Sequence, residues 1–153
     1  MSRREQIRMS PDEMAAFLDE ARTLQVATIN PDGTPHLVAM WFAVDGGDAT
    51  FWTYAKSQKI ANLRRDDRLS VLVETGDAYE DLRGVSIVGR AELVEDRADV
   101  LAIGERIFER YWGPITDDAV REGVHVMGAK RVGVIVRPDK IVSWDHRKLG
   151  GVY

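Results

Sequence analysis

Apolar and polar positions change period several times along the chain, and each change marks an element. Met14, Phe17, Leu18 and Ala21 recur at i, i+3, i+4 and i+7, which is one face of a helix. Just ahead of them, Ser10-Pro11-Asp12-Glu13 is a capping box with proline at the first helical position. From Leu24 the run becomes short, apolar and β-prone to Ile29, and Asn30-Pro31-Asp32-Gly33 supplies turn chemistry. A second run over 35–44 ends at Asp45-Gly46-Gly47-Asp48, read as another hairpin turn, and 49–54 returns as a strand. Three consecutive strands in a meander are the economical expectation.

Beyond Tyr54 the pattern alternates between the two periods. Residues 57–66 carry a cap at Ser57 and the Ile60/Leu63 spacing of a short helix. Residues 69–74 and 85–93 are β-type runs around a polar loop, 75–82. Val100, Leu101, Ile103, Ile107 and Phe108 place a helix over 96–110, and Tyr111-Trp112-Gly113-Pro114 is expected to break it. A weaker helical stretch covers about 117–127. Two last strands, 131–136 and 140–144, are expected on either side of Pro138-Asp139. Six or seven strands in hairpin-like order with a few helices favour a mainly β fold, a small antiparallel barrel, over a doubly wound sheet.

Composition narrows the class. The chain has 153 residues, room for one domain over 1–153, and no internal repeat. With 44% hydrophobic and 30% charged residues it is ordinary globular material rather than a disordered chain. Its net charge of −4 argues against nucleic-acid binding as a main task. No cysteine is present, which removes disulfides, thiolate metal sites and cysteine nucleophiles, and fits a reducing compartment. The charged start Met1-Ser2-Arg3-Arg4 has no apolar stretch behind it, and no run approaches the roughly 18 residues of a membrane span. The expectation is a soluble, cytoplasmic protein with neither a nucleic-acid nor a membrane partner.

The familiar catalytic patterns are missing. His36, His125 and His146 form no metal-spaced pair, so no metal site is predicted, and His36 beside a turn reads as a strand residue. Gly123 to Lys130 misses the phosphate-loop spacing by one place, and no dinucleotide or nucleophile-elbow signature occurs. Asp66/Asp67 and Asp117/Asp118 sit beside turns or helix ends, where acids serve the helix rather than proton transfer.

One segment departs from the acidic bulk. Lys56, Lys59, Arg64, Arg65 and Arg68 stand against Asp66 and Asp67, a local charge of +3. Lys56-Ser57-Gln58-Lys59 falls where a strand ends and a helix begins, so free amides, a hydroxyl and two ammonium groups could cradle a phosphate. A solvated basic face is an equally weighted alternative.

Residues 24–73 resemble the pyridoxamine-phosphate-oxidase-like split β-barrel flavoproteins. The landmarks are Val26-Ala27-Thr28-Ile29, Asp32-Gly33-Thr34-Pro35-His36, Trp41-Phe42, Phe51-Trp52-Thr53 and Ser57-x-Lys59-x-x-x-Asn62-Leu63. Leu82-Arg83-Gly84-Val85, Gly89-Arg90-Ala91 and Trp144 extend the likeness over most of the chain. It is nearest to the actinobacterial branch that uses the deazaflavin coenzyme F-420. The resemblance implies a six- or seven-stranded antiparallel split barrel and a homodimer with the cofactor at the interface. It implies phosphate binding by Lys56, Ser57 and Lys59, with Val38, Ala39, Met40 and Trp41 along the ring system and Trp52, Thr53 and Tyr54 beside the linker. Plain barrel packing is the competing reading for Val38, Met40 and Trp52.

The activity this implies is hydride transfer from reduced F-420 to an electron-poor small molecule. The alternatives are an FMN-dependent enzyme of the pyridoxamine-phosphate-oxidase kind, or a flavin- or deazaflavin-binding protein without turnover. The C-terminal stretch from Ser143 does not reproduce the Arg- and His-containing tail of authentic vitamin B6 oxidases. Tyr79 and His146 are the candidate proton donors, each with a surface role as the competing reading. Substrate selectivity is expected from loops 75–82 and 111–118 and from the tail.

Overall fold

The structure is a computed structural model that describes residues 1–151. Of the seven strands and five helices, all but the short first helix fall on the segments singled out by periodicity above. Helix α1 (Arg3–Gln6) precedes α2 (Pro11–Glu20), and both start on full capping boxes, Ser2/Glu5 and Ser10/Glu13. Strands β1 (Leu24–Ile29), β2 (Pro35–Met40), β3 (Ala43–Asp45) and β4 (Asp48–Tyr54) come next. Helix α3 (Gln58–Arg65) leads to β5 (Arg68–Thr75) and β6 (Arg83–Val94). Helices α4 (Arg97–Trp112) and α5 (Asp118–Gly128) precede the longest strand, β7 (Arg131–Asp145).

All pairings are antiparallel, in the order β2-β1-β5-β6-β7-β4-β3. The expected three-strand meander is therefore corrected. The run 35–44 splits at Trp41-Phe42 into β2 and β3, which lie at opposite ends of the strand order. Only those two residues join them, so the ends of the sheet stand within about 11 Å of each other, the reach of three extended Cα–Cα steps. That short link curls the sheet into a split barrel. Phe42 points into its core, fully buried beside Leu24, Val26, Phe51 and Val134.

Two further expectations change. The final pair of strands is one strand, because Pro138 falls opposite a register shift at Val88/Gly89 where no ladder hydrogen bond is demanded of it. Helix α4 does not break at Tyr111; it continues through Trp112 and stops at Gly113, whose φ of 92° suits glycine alone. The 75–82 loop contains a short 3-10 turn, Tyr79–Asp81.

Strand β4 is buried on both sides, which explains its unbroken apolar run. Phe51 faces the barrel interior, whereas Trp52 belongs to a second cluster with Val100, Ile103, Ile107 and Val124 of α4 and α5. The helices thus roof the outer face of β4 next to the Trp41-Phe42 link.

Candidate functional site

The link is held by a single hydroxyl. Tyr111 Oη accepts from the Phe42 amide at 3.1 Å and donates to the Arg22 carbonyl at 2.7 Å. Its ring stacks on Trp41 with centroids 4.3 Å apart and an interplanar angle of 8°. Trp112 meets Trp41 edge-on at 4.8 Å, and Phe108 lies 4.9 Å from Trp112. Trp41, Trp112 and Phe108 form one wall of a cleft of about 370 Å³ between β2, β4, α4 and α5, with Tyr111 backing Trp41, and the volume is within the usual range for small-molecule sites.

The floor is Trp52. A Cβ built on Gly104 would come within 2.3 Å of its ring, and one on Gly128 within 2.9 Å, so these helix glycines let the indole lie flush beneath α4 and α5. The Arg131 guanidinium covers the same indole at 4.8 Å and the Tyr54 ring at 4.6 Å, while its Nε donates to the Met127 carbonyl at 3.2 Å. Two larger hollows, each about 570 Å³, lie beside the N-terminal arm and beneath α2, and neither is lined by a residue given a cofactor or catalytic role above.

The start of α3 adjoins this cleft through Arg131. Ser57 occupies the N-cap position with extended φ and ψ, yet its side chain makes no capping bond, and its buried Oγ has no partner. Lys59 reaches back to Thr53, Nζ to Oγ1, at 3.1 Å. Burial, reinforced by the nearby Arg131 charge, lowers the Lys59 ammonium below its ordinary range. Among the described residues no carboxylate forms an ion pair with Lys56, Lys59 or Arg131. A clustered, uncompensated positive charge beside an unfilled cap is the chemistry of an anion site.

The rest of the basic run is occupied. Arg64 pairs with Glu95, Arg65 donates to the Ile29 carbonyl, and Arg68 chelates Asp66. That last pair holds the Asp66 carboxyl down at about 2. The +3 segment therefore divides into a structural half and an available half at the helix start.

The residues singled out in the sequence are distributed as follows. Ala39, Met40, Trp41 and Trp52 meet in the cleft. Tyr54 stands at its edge under Arg131, and Thr53 holds Lys59. Lys56 is exposed ahead of the Ser57 cap. Val38 turns toward the barrel core, so its packing is visible here and a ring contact is not. His36 is a β2 residue whose buried Nδ1 lacks a partner.

Tyr79 and His146 contact each other, with rings 4.6 Å apart and the imidazole Nδ1 2.9 Å from the Tyr79 carbonyl oxygen. They lie where Arg83 pairs with Asp145, at the end of β7 opposite Arg131, and outside the cleft. Loop 75–82 is remote for the same reason, whereas Trp112 brings the 111–118 segment into the wall. The described tail, a 3-10 turn over His146–Leu149, also lies at that far end, and Val152 and Tyr153 fall outside the described residues.

Phe108, Met127 and Arg131 carry no site role in the sequence reading, and Trp112 enters it only as part of the 111–118 segment. Trp112 was masked by its place beside Gly113-Pro114, and Arg131 by its position as the first residue of a strand.

A family model for pyridoxamine 5'-phosphate oxidase matches residues 10–144. Similar solved structures include the conserved hypothetical protein Rv2991 from Mycobacterium tuberculosis, 49% identical over 100% of this chain and 95% of that one, with a TM-score of 0.94. An F-420 reductase is 31% identical over 82% of this chain and 93% of that one, with a TM-score of 0.64. The heme storage protein HutZ from Vibrio cholerae, 17% identical over 90% and 96% with a TM-score of 0.68, shares the fold. No protein with a curated description matches.

Proposed function

Because the chain belongs to the pyridoxamine 5'-phosphate oxidase family, we propose that it is an oxidoreductase that uses reduced coenzyme F-420 to reduce an electron-poor small molecule. The observation that carries the proposal is the start of α3. There the unpartnered Ser57 Oγ and the two lysines would cradle a phosphate, and no carboxylate among the described residues pairs with either lysine. The 31% identity to an F-420 reductase favours the deazaflavin over FMN.

When bound, the coenzyme supplies a hydride from its carbon 5, so the protein has no difficult bond to break by itself. Its own residues bind, orient and exclude water. Lys56, Ser57 and Lys59 would hold the phosphate, and the β2 backbone from Val38 to Trp41 would border the ring system. Trp52, Thr53 and Tyr54 would flank the linker. With a ligand in the cleft, the aromatic wall and the Trp52 floor would shield the reacting face from bulk water.

A homodimer is part of the proposal. Leu37, Tyr54 and Val126 are large, apolar and at least 56% exposed, a surface that a partner subunit would cover. Light scattering should give about twice 17.2 kDa. No helix among the described residues is long and apolar enough to cross a membrane. A cytoplasmic setting is proposed with the function and draws support from the absence of cysteine.

Fluorescence titration with F-420 and FMN in parallel tests the cofactor. F-420 binding well ahead of FMN is the expected result, and tight FMN binding with none for F-420 overturns it. Stopped-flow oxidation of bound, reduced F-420 by a panel of enones and quinones then tests turnover. No acceleration by any acceptor would leave a binding protein.

A further inference from the structure

Strand β4 keeps its two neighbouring cations on opposite faces. Side chains alternate along a strand, so Thr53 points away from the face that carries Trp52 and Tyr54. Lys59 is bonded to Thr53, whereas Arg131 lies over Trp52 and Tyr54. A phosphate seated at Ser57 and Lys59 therefore does not account for Arg131. The guanidinium spends its Nε on the Met127 carbonyl and has no acidic partner among the described residues, leaving its terminal nitrogens at the cleft wall.

The cleft itself is shaped for flat rings. Trp41 stacks in parallel on Tyr111, Trp112 stands edge-on to Trp41, and the Trp52 indole lies flush on Gly104. Trp41 and Trp112 are 46% and 57% exposed, so both have ring surface left to give to a ligand. Aromatic walls favour a conjugated ligand by stacking, and one cation at the edge favours a ligand with one anionic group.

We propose that this cleft is a second compartment, distinct from the phosphate cradle, that binds flat conjugated carboxylates with Arg131 as the anchor for the acid group. Taken with the function proposed above, on which this last step rests, that ligand is the hydride acceptor: a carbon–carbon double bond conjugated with its acid group would gain the hydride of the reduced coenzyme at one carbon and a proton from solvent at the other. Specificity then has two parts: the aromatic wall selects planarity, and Arg131 selects charge.

The probe pair is anthracene-2-carboxylate and the neutral 2-anthracenemethanol, each titrated by its own fluorescence into wild-type protein with and without saturating F-420. The acid should bind about tenfold tighter than the alcohol, as a charge-assisted contact at a partly open site warrants. Arg131→Gln should abolish the preference while leaving alcohol affinity within about twofold. Trp112→Ala should weaken both probes alike, and its measurement keeps the test open if Arg131→Gln fails to fold. The acid should bind with F-420 present. Equal affinities for acid and alcohol, or a preference that survives Arg131→Gln, overturn the anion-anchored compartment. Displacement of the acid by F-420 overturns it too, assigning the cleft to the coenzyme and leaving the proposed function intact. Failure of F-420 itself to bind, read in the same titrations, overturns the proposed function and with it the acceptor role.

Discussion

The two ends of α3 treat polar side chains in opposite ways. Toward its C-terminal end, fully buried Asn62 donates to Thr28 Oγ1 at 3.0 Å and to Asn30 Oδ1 at 3.1 Å, and accepts from Gln58 Nε2 at 2.9 Å. Every one of those contacts ties the helix to β1 or to itself. At the N-terminal end, Ser57 leaves its hydroxyl unpartnered and Lys59 reaches only a neutral hydroxyl. Satisfied polar groups hold a fold together, whereas an unsatisfied hydroxyl at a helix start is open to a ligand. One eight-residue helix thus carries an anchor and a site.

The strongest way to break this contrast is to exchange the roles. Asn62→Ala strips partners from Thr28 and Asn30, and should cost on the order of 2–3 kcal/mol of stability in urea unfolding. Lys59→Ala should leave the unfolding curve in place, yet weaken F-420 binding roughly tenfold to a hundredfold, since a charge-assisted contact is worth about 1.5–3 kcal/mol. If Lys59→Ala unfolds the protein while Asn62→Ala does not, the assignment of the two ends is reversed.

A smaller effect sharpens it. Ser10 and Ser57 both occupy N-cap positions, but only Ser10 accepts from its helix, at 3.2 Å from the Glu13 amide. Ser10→Ala should destabilise the protein by about 1 kcal/mol, the usual value of a cap. Ser57→Ala should have almost no effect on stability and should lower F-420 affinity several-fold. Equal stability losses from the two substitutions would mean that Ser57 caps after all.

Protonation gives the next effect. Anion binding needs Lys59 charged, and its folded value lies below the ordinary 10.5 because of burial and Arg131. Affinity should therefore hold at neutral pH and fall on the alkaline side earlier than an ordinary lysine would cause. Lys59→Arg should flatten that fall, because a guanidinium stays protonated. A wild-type profile as flat as that of Lys59→Arg excludes Lys59 from the contact.

The smallest effect belongs to the structural half of the run. Asp66, held near 2 by Arg68, stabilises the fold above its unfolded value of 3.8, and this contribution disappears as pH falls through about 2. Acid unfolding curves of the wild type and Asp66→Asn should differ slightly above that range and merge below it, with F-420 affinity at neutral pH unchanged.

Much of this architecture was legible because it is written locally. The Ser10 capping box, the α2 face and the β1 turn each depend on residues within four or five positions, where spacing and turn chemistry speak directly. The order of landmarks from Val26 to Leu63 also carried the family. The Ser57 position was readable as a helix start, but its unfilled hydroxyl was not, since an absent bond leaves no mark in a pattern.

Contacts between distant residues were decided only by the tertiary structure. Spacing could not say that β2 and β3 lie at opposite ends of the strand order, because the same apolar run suits one strand or two. Nor could it say that Tyr79 and His146 lie at the far end of the strand that Arg131 begins. The cleft is assembled from Trp41, Trp52, Trp112 and Arg131, which come from three elements and one connecting link. Periodicity tells each side chain which face of its own element it takes. Which faces meet is set by barrel closure through a two-residue link and by two helix glycines small enough to admit an indole.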